Sequence, residues 1–264
     1  MPNAHSVKPV ALVTGSLRGI GRACALALAK SGFSIVLNDR NSDENEVLAK
    51  NLADEISALG SDSDVALGDI GNLSDHETIV SKAISFKGRI DCLVNNAGVA
   101  PKRRGDLLDV QPDSFDESFQ INTRGLFFLT QRIARHMLLE AQLPNVHRSI
   151  INITSSNAVA VSILRGEYCA SKAAASMITR LFGVRLANTG IGVYEVRPGI
   201  IETDMTLPAK AKYDALIKDH LVPADRWGYP EDVSSTVVCM AEGRLRYTVA
   251  QAVTVDGGLI EPRF

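Results

Sequence analysis

Tyr168 and Lys172, in the run Tyr168-Cys169-Ala170-Ser171-Lys172, are the residues of this chain best matched to proton transfer. Four residues apart on a helix, they share one face. A lone phenol titrates near ~10 and is a poor acid or base at neutral pH, but an adjacent ammonium favours the phenolate and lowers that value. Taken alone, the spacing is short enough to arise by chance. Its weight comes from the segments that must hold the pair against a reacting centre.

The first such segment is N-terminal. Val10-Ala11-Leu12-Val13-Thr14 is a short apolar, β-branched run that reads as a buried strand; Gly15-Ser16-Leu17-Arg18-Gly19-Ile20-Gly21 follows at once, and Arg22 to Lys30 is Ala- and Leu-rich helix stopped by Gly32. Strand, glycine turn and helix together suit a pyrophosphate. Gly15 permits the tight turn, Gly19 lets the phosphates approach the backbone, Gly21 lets helix pack on strand, and free N–H groups at the helix start attract the anion. A second apolar run, Phe33 to Leu37, leads into Asn38-Asp39-Arg40, which puts a carboxylate where a ribose diol is expected.

Composition narrows the class. With 28 basic against 30 acidic residues the formal net charge is −2, and no basic excess argues for nucleic acid. No apolar run approaches the ~20 residues of a membrane span. The start Met-Pro-Asn-Ala-His-Ser-Val-Lys lacks the apolar stretch of a secretory signal, so a cytoplasmic protein is expected. Cys24, Cys92, Cys169 and Cys239 have no C-x-x-C spacing and read as thiols of a reducing compartment, and the scattered histidines give no metal site.

Strand and helix patterns then alternate without a linker. Helix is expected from about Asp43 to Leu59, Ser74 to Phe86, Pro112 to Ala141 and through Tyr168 to Asn188; strands are expected at 64–67, 91–94, 149–153, 192–196 and 253–255. This is βαβ repetition, which predicts an α/β Rossmann fold: a doubly wound parallel sheet of about seven strands with helices on both faces and ligands at the carboxyl ends of the strands. One domain is expected over residues 1–264. Its most movable piece is a substrate lid at about 203–228, bounded by Pro208 and Pro223.

Several short runs fall at the expected strand ends: Asn95-Asn96-Ala97-Gly98, Thr154-Ser155-Ser156 and Arg197-Pro198-Gly199, with Asn122 inside the long helix. Together with T-G-x-x-x-G-x-G at Thr14 to Gly21, a serine thirteen positions before Tyr168, Y-x-x-x-K and P-G-x-x-x-T at Pro198 to Thr203, they cover almost the whole chain in order. The sequence thereby resembles the short-chain dehydrogenase/reductase family. Pro198 to Met205, Arg226 to Val233 and Val255-Asp256-Gly257-Gly258 resemble its 3-oxoacyl-[acyl-carrier-protein] reductase branch in particular.

That resemblance implies an NAD(P)-dependent oxidoreductase interconverting a carbonyl and a secondary alcohol by hydride transfer. Tyr168 would be the acid/base, Lys172 would lower its pKa and hold the nicotinamide ribose, Ser155 would bond the substrate oxygen, and Asn122 would kink its helix and hold a water that relays protons to Lys172. By the same carry-over Gly15, Arg18, Gly19, Ile20 and Gly21 would line the phosphates and adenosine ribose. Asp69 and Ile70 would meet the adenine, Asn95 the far side of the adenosine, and Ile201 and Thr203 the carboxamide end, with Ala97, Gly98, Pro198 and Gly199 beside the cofactor. Asp39 would bond the ribose diol of NAD and repel a 2′-phosphate, while Arg18 and Arg40 could embrace that phosphate; because exposed arginines are screened and swing away, the balance favours NAD.

The substrate pocket is expected from Val99 to Arg104, Asn157, Ile163 to Glu167 and the lid, with Arg103, Arg104 and Arg165 able to meet a carboxylate or phosphate. Carrier-using members show basic residues just before the fifth strand and at the end of the tyrosine helix. Here those places hold Val146 and Thr189, with His147 and Arg148 nearby. This disfavours an acyl carrier protein as partner and keeps open an NAD-linked polyol, sugar or small hydroxy-compound dehydrogenase. A non-catalytic dinucleotide-binding regulator should lack Ser155, Tyr168 or Lys172, and all three are present. The apolar residues Leu126 to Leu129, Ile133, Ala134 and Met137 to Leu139 occupy more than one helix face, and the resemblance implies a homotetramer packed through this helix and the tyrosine helix.

Overall fold

The computed structural model describes residues 8–263; the first seven residues, on which the absence of a secretory signal was read, and Phe264 lie outside them. Seven parallel strands are ordered β3-β2-β1-β4-β5-β6-β7: β1 Val10–Thr14, β2 Ser34–Asn38, β3 Ser63–Val65, β4 Cys92–Asn95, β5 Arg148–Ile153, β6 Ile191–Pro198 and β7 Ala252–Val255. Every residue of β1, β2, β4 and β5 is buried, which is why these strands read as continuous apolar runs. Alternate residues enter different cores. Ala11 and Val13 pack with α1 (Gly19–Lys30), α2 (Asp43–Ala58) and α8 (Pro230–Ala241), while Val10 and Leu12 pack with α3 (Asp75–Lys87), α5 (Leu126–Leu139) and the end of α6 (Gly166–Leu186). The chain reverses its winding between β1 and β4, and the crevice above that point is where an open α/β sheet takes its ligand.

Helix ends follow their local chemistry. Ser42 caps α2, its hydroxyl accepting the Asn45 N–H at 3.2 Å, and Asp43, Glu44 and Glu46 complement the first turn. Gly88 ends α3 in the left-handed region at φ 74°. The helix expected over 112–141 is broken: α4 covers Pro112–Phe119, Gln120–Gly125 winds as a π-helix, and α5 resumes at Leu126. Side-chain bonds hold the wide turn, with Thr123 Oγ1 donating to Ser171 O at 3.1 Å and Asn122 Nδ2 to Val99 O at 3.1 Å.

The excursion between β6 and α8 carries α7, Lys210–Lys218, and a small core of its own from Tyr213, Ile217, Val222 and Trp227. Trp227 Nε1 donates to Asp214 at 2.7 Å. Both ends of the excursion are fastened together, since Gly228 N–H donates to Ile200 O at 3.0 Å and Glu202 N–H to Gly228 O at 2.9 Å. No helix among the described residues is long and apolar enough to cross a membrane.

Candidate active site

A cleft of about 930 Å³ runs across the carboxyl ends of the strands, from the glycine turn to α7. Its floor at one end is the β1–α1 turn. Gly15 sits at φ 60°, and a Cβ there would come within 2.9 Å of Ala97 Cα; Gly19 sits at φ 51°. Thr14 and Asn96 lock this turn to the loop after β4: Thr14 Oγ1 accepts the N–H groups of Asn96 and Ala97 at 3.1 and 3.0 Å, and Asn96 Nδ2 donates to Thr14 O and Gly15 O at 2.9 Å. Arg18, the residue before α1, makes no side-chain cap to the first-turn N–H groups. A narrow glycine cradle below an uncapped helix start fits a dinucleotide pyrophosphate.

Tyr168, Lys172 and Ser155 converge on the other part of the cleft. α6 begins at Gly166, so Tyr168 and Lys172 lie on its first two turns, and β5 ends one residue before Thr154-Ser155. The Ser155 hydroxyl oxygen accepts the Asn157 N–H at 3.1 Å, and its proton is directed to the Tyr168 phenol. Lys172 Nζ lies 5.8 Å from the Tyr168 ring centre and donates to Ile153 O at 3.1 Å. Burial pushes the Tyr168 phenol up, while the Ser155 hydrogen bond and the Arg165 charge pull it back. Lys172 is pulled down to about 8, burial outweighing the opposing pull of Glu195. In the protein alone the pair shares a desolvated site that disfavours both charged forms, and two cations, the Lys172 ammonium and the Arg165 guanidinium, each lie 5.8 Å from the ring centre.

Asn122 is buried in the π-helical turn and does not line the cleft. Its amide is spent on neighbours, Oδ1 accepting Val99 N–H at 2.9 Å and Nδ2 donating to Val99 O and Ser171 Oγ at 3.1 Å. Gly98 gives it room: a Cβ there would stand 2.9 Å from Asn122 Oδ1 and 3.3 Å from Lys172 Nζ.

Most expected cofactor residues border the cleft. Ile20, Asp39, Arg40, Asp69, Ile70, Ala97, Gly98, Pro198, Gly199, Ile201 and Thr203 all line it, with Ala97 and Thr203 against Gly15 and Gly19 of the turn and Gly98 beside Lys172. Two do not. Asn95 is buried behind the sheet, its Nδ2 donating to Thr130 Oγ1 at 2.9 Å and Asn152 Oδ1 at 2.8 Å, because strand parity turns it away from the face that Asn96 presents. Gly21 is inside the turn, where a Cβ would fall 1.9 Å from Gly15 O, so it serves packing and lines no part of the cleft. Arg18 borders the cleft but is engaged by Glu44 and Asn45. The Asp39 carboxylate accepts the Arg40 N–H at 2.9 Å.

Sequence reasoning missed a buried ion pair beside Lys172. Glu195 is 1% exposed and accepts from Arg197 Nε at 2.7 Å, Thr154 Oγ1 at 2.6 Å and Ser176 Oγ at 2.8 Å. Two opposite charges at i and i+2 in an otherwise apolar strand were the available signal, since such residues point to one face. Arg148 was missed likewise: it is buried and donates to the carbonyls of Met137, Glu140 and Ala141 at the end of α5.

Residues 15–260 match the family model described as enoyl-(acyl carrier protein) reductase. The chain belongs to the short-chain dehydrogenase/reductase family. It is similar to the 3-oxoacyl-[acyl-carrier-protein] reductase FabG of Thermotoga maritima, 31% identical over 95% of this chain and 97% of that protein. Among solved structures, a 3-oxoacyl-[acyl-carrier protein] reductase from Brucella melitensis in complex with NAD superposes with a TM-score of 0.92 at 41% identity, covering 97% of this chain and 99% of the other. A gluconate 5-dehydrogenase from Burkholderia cenocepacia in complex with NADP and tartrate superposes with a TM-score of 0.86 at 32% identity, covering 97% and 96%. The chain is thus an NAD(P)-dependent oxidoreductase that interconverts a carbonyl and a secondary alcohol, with 3-oxoacyl-carrier reductases among its most similar relatives.

Proposed function

We propose that this protein is an NAD(H)-linked carbonyl reductase acting on a small molecule, with Tyr168 exchanging the proton at the substrate oxygen. The convergence of Tyr168, Ser155 and Lys172 on one cleft carries this reading. The bound nicotinamide supplies the hydride. Ser155 turns its hydroxyl to hydrogen-bond the substrate oxygen as charge develops there and keeps its proton, Tyr168 gives up its own proton to that oxygen, and Lys172 favours the resulting phenolate. Asn122 acts from behind: its three side-chain bonds tie the loop after β4 to α6, so it sets where Lys172 lies and its side chain has no donor left for a relay.

Asp39 favours NAD. Its carboxylate borders the adenosine end of the cleft, where a 2′-phosphate would meet like charge, and Arg18 is already held by Glu44. An acyl carrier protein is not the preferred partner, because His147 packs on Tyr194 and Arg148 is turned inward, leaving no exposed cation just before β5 for an acidic protein. The excursion 203–228 is read as a lid on the single domain, pinned at Ile201 and Gly228. A cytoplasmic homotetramer is the assembly proposed, since α5 exposes Leu139 and α6 exposes Met177, Leu181 and Val184.

Nicotinamide consumption by the purified chain tests this, with small ketones and 3-oxoacyl thioesters offered alongside NADH or NADPH. Turnover with NADH on a free small molecule is expected; reduction confined to carrier-bound substrates, or to NADPH, overturns the corresponding part.

A further inference from the structure

The cleft differs in charge between its two ends. At the adenosine end Asp39 and Asp69 stand beside Arg40 and Arg18, the latter held by Glu44, whereas beyond Tyr168 the walls carry Arg104, Arg165 and Lys212, with Asp204 as the carboxylate among the described residues there. These cations come from three separate segments: the loop after β4, the turn before α6, and α7 of the lid. Nearby cations are neutralised, Lys102 by Asp113 at 3.1 Å and Lys210 by Glu202 at 3.3 Å and Asp214 at 3.5 Å. Arg104, Arg165 and Lys212 are in no ion pair among the described residues.

Arg165 is the best placed. It is half-buried, its guanidinium carbon lies 5.8 Å from the Tyr168 ring centre, and its Nε reaches the Ser162 hydroxyl only at 3.5 Å. Arg104, also on the cleft wall, lies 3.5 Å from the hydroxyl of the buried Tyr213. A guanidinium over a ring at this distance, with most of its N–H donors uncommitted, presents a planar fork suited to an oxyanion. The remaining wall is apolar, with Val159, Leu164, Met205 and Leu216. A glycine turn with an uncapped helix start serves the cofactor phosphates at the other end, so the cofactor does not account for these charges.

Resting on the reading of Tyr168 as the acid/base, we infer that Arg165, supported by Arg104 and Lys212, binds an anionic group of the substrate, a carboxylate or phosphate joined to the reacting carbonyl by a short carbon skeleton. Lys212 belongs to the lid and Arg165 to the fixed rim, so the same anion draws the lid onto the cleft.

Matched pairs test this. One arm compares 3-oxobutanoate, 4-oxopentanoate and 5-oxohexanoate with their methyl esters; the other compares dihydroxyacetone phosphate with dihydroxyacetone, which lacks phosphate. The anionic member is expected to win in kcat/KM by roughly tenfold or more in one arm, which also says whether the anion is a carboxylate or a phosphate. Arg165→Met is expected to cut that preference by roughly tenfold, whatever loss both members share, and Arg165→Lys to retain part of it. Equal use of charged and neutral members in both arms overturns the inference, as does a preference that survives Arg165→Met and Arg104→Gln together. Binding of the same pairs to the NADH-loaded Tyr168→Phe protein reads the preference without turnover. Discrimination there without wild-type reduction would reject the catalytic reading and keep this one; turnover without discrimination would do the reverse.

Discussion

The Thr154 hydroxyl donates to the Glu195 carboxylate at 2.6 Å, fastening the strand end that presents Ser155 to β6. The same carboxylate accepts from Ser176, one helical turn beyond Lys172, so one buried anion joins the elements carrying the three reacting side chains. Arg197 neutralises it. Removing one partner of such a pair strands the other charge, and Glu195→Ala is expected to cost about 3–5 kcal/mol. Urea unfolding checks this. Replacing both members, Glu195→Leu with Arg197→Met, should recover much of the loss, and a single variant as stable as wild type would contradict the role of the pair.

Lys172 gives a pH signature. Its folded value, about 8, lies below the ~10.4 of an unfolded lysine, so the unfolded chain binds more protons between those limits. Stability contributed by this site is lowest below about pH 8 and rises with pH through that window. The difference in unfolding free energy between wild type and Lys172→Met should therefore move in favour of wild type from pH 8 towards pH 10. Parallel curves would mean that the lysine is not desolvated.

Asp39 decides between the dinucleotides. Asp39→Ala removes the like charge from the adenosine end while leaving the exposed Arg40, and the ratio of kcat/KM for NADPH over NADH is expected to rise by roughly tenfold or more. An unchanged ratio would show that the carboxylate does not face the ribose.

Much of the fold was legible, because strands buried on both faces are continuous apolar runs and helix signals such as the Ser42 cap of α2 and Gly88 after α3 fall between them. The π-helical turn at Gln120–Gly125 was not, since its residues look like any helix and only the bonds of Asn122 and Thr123 to remote segments widen it. In the site, residue types were legible and directions were not. Asn95 and Asn96 are neighbours of identical chemistry, and strand parity sends the first into the core and the second onto the glycine turn. Gly21 belongs to the motif but serves packing. The electrostatics of Tyr168 also escaped: spacing brings Lys172 near, but burial, which depends on the whole fold, decides the direction of the shift.

The central claim is that the Tyr168 hydroxyl moves the proton. Turnover and NADH affinity of Tyr168→Phe, measured on the same preparation, test it most directly. The account predicts a fall in kcat of ~10²–10⁴-fold with NADH binding retained. Turnover within a few-fold of wild type would contradict it.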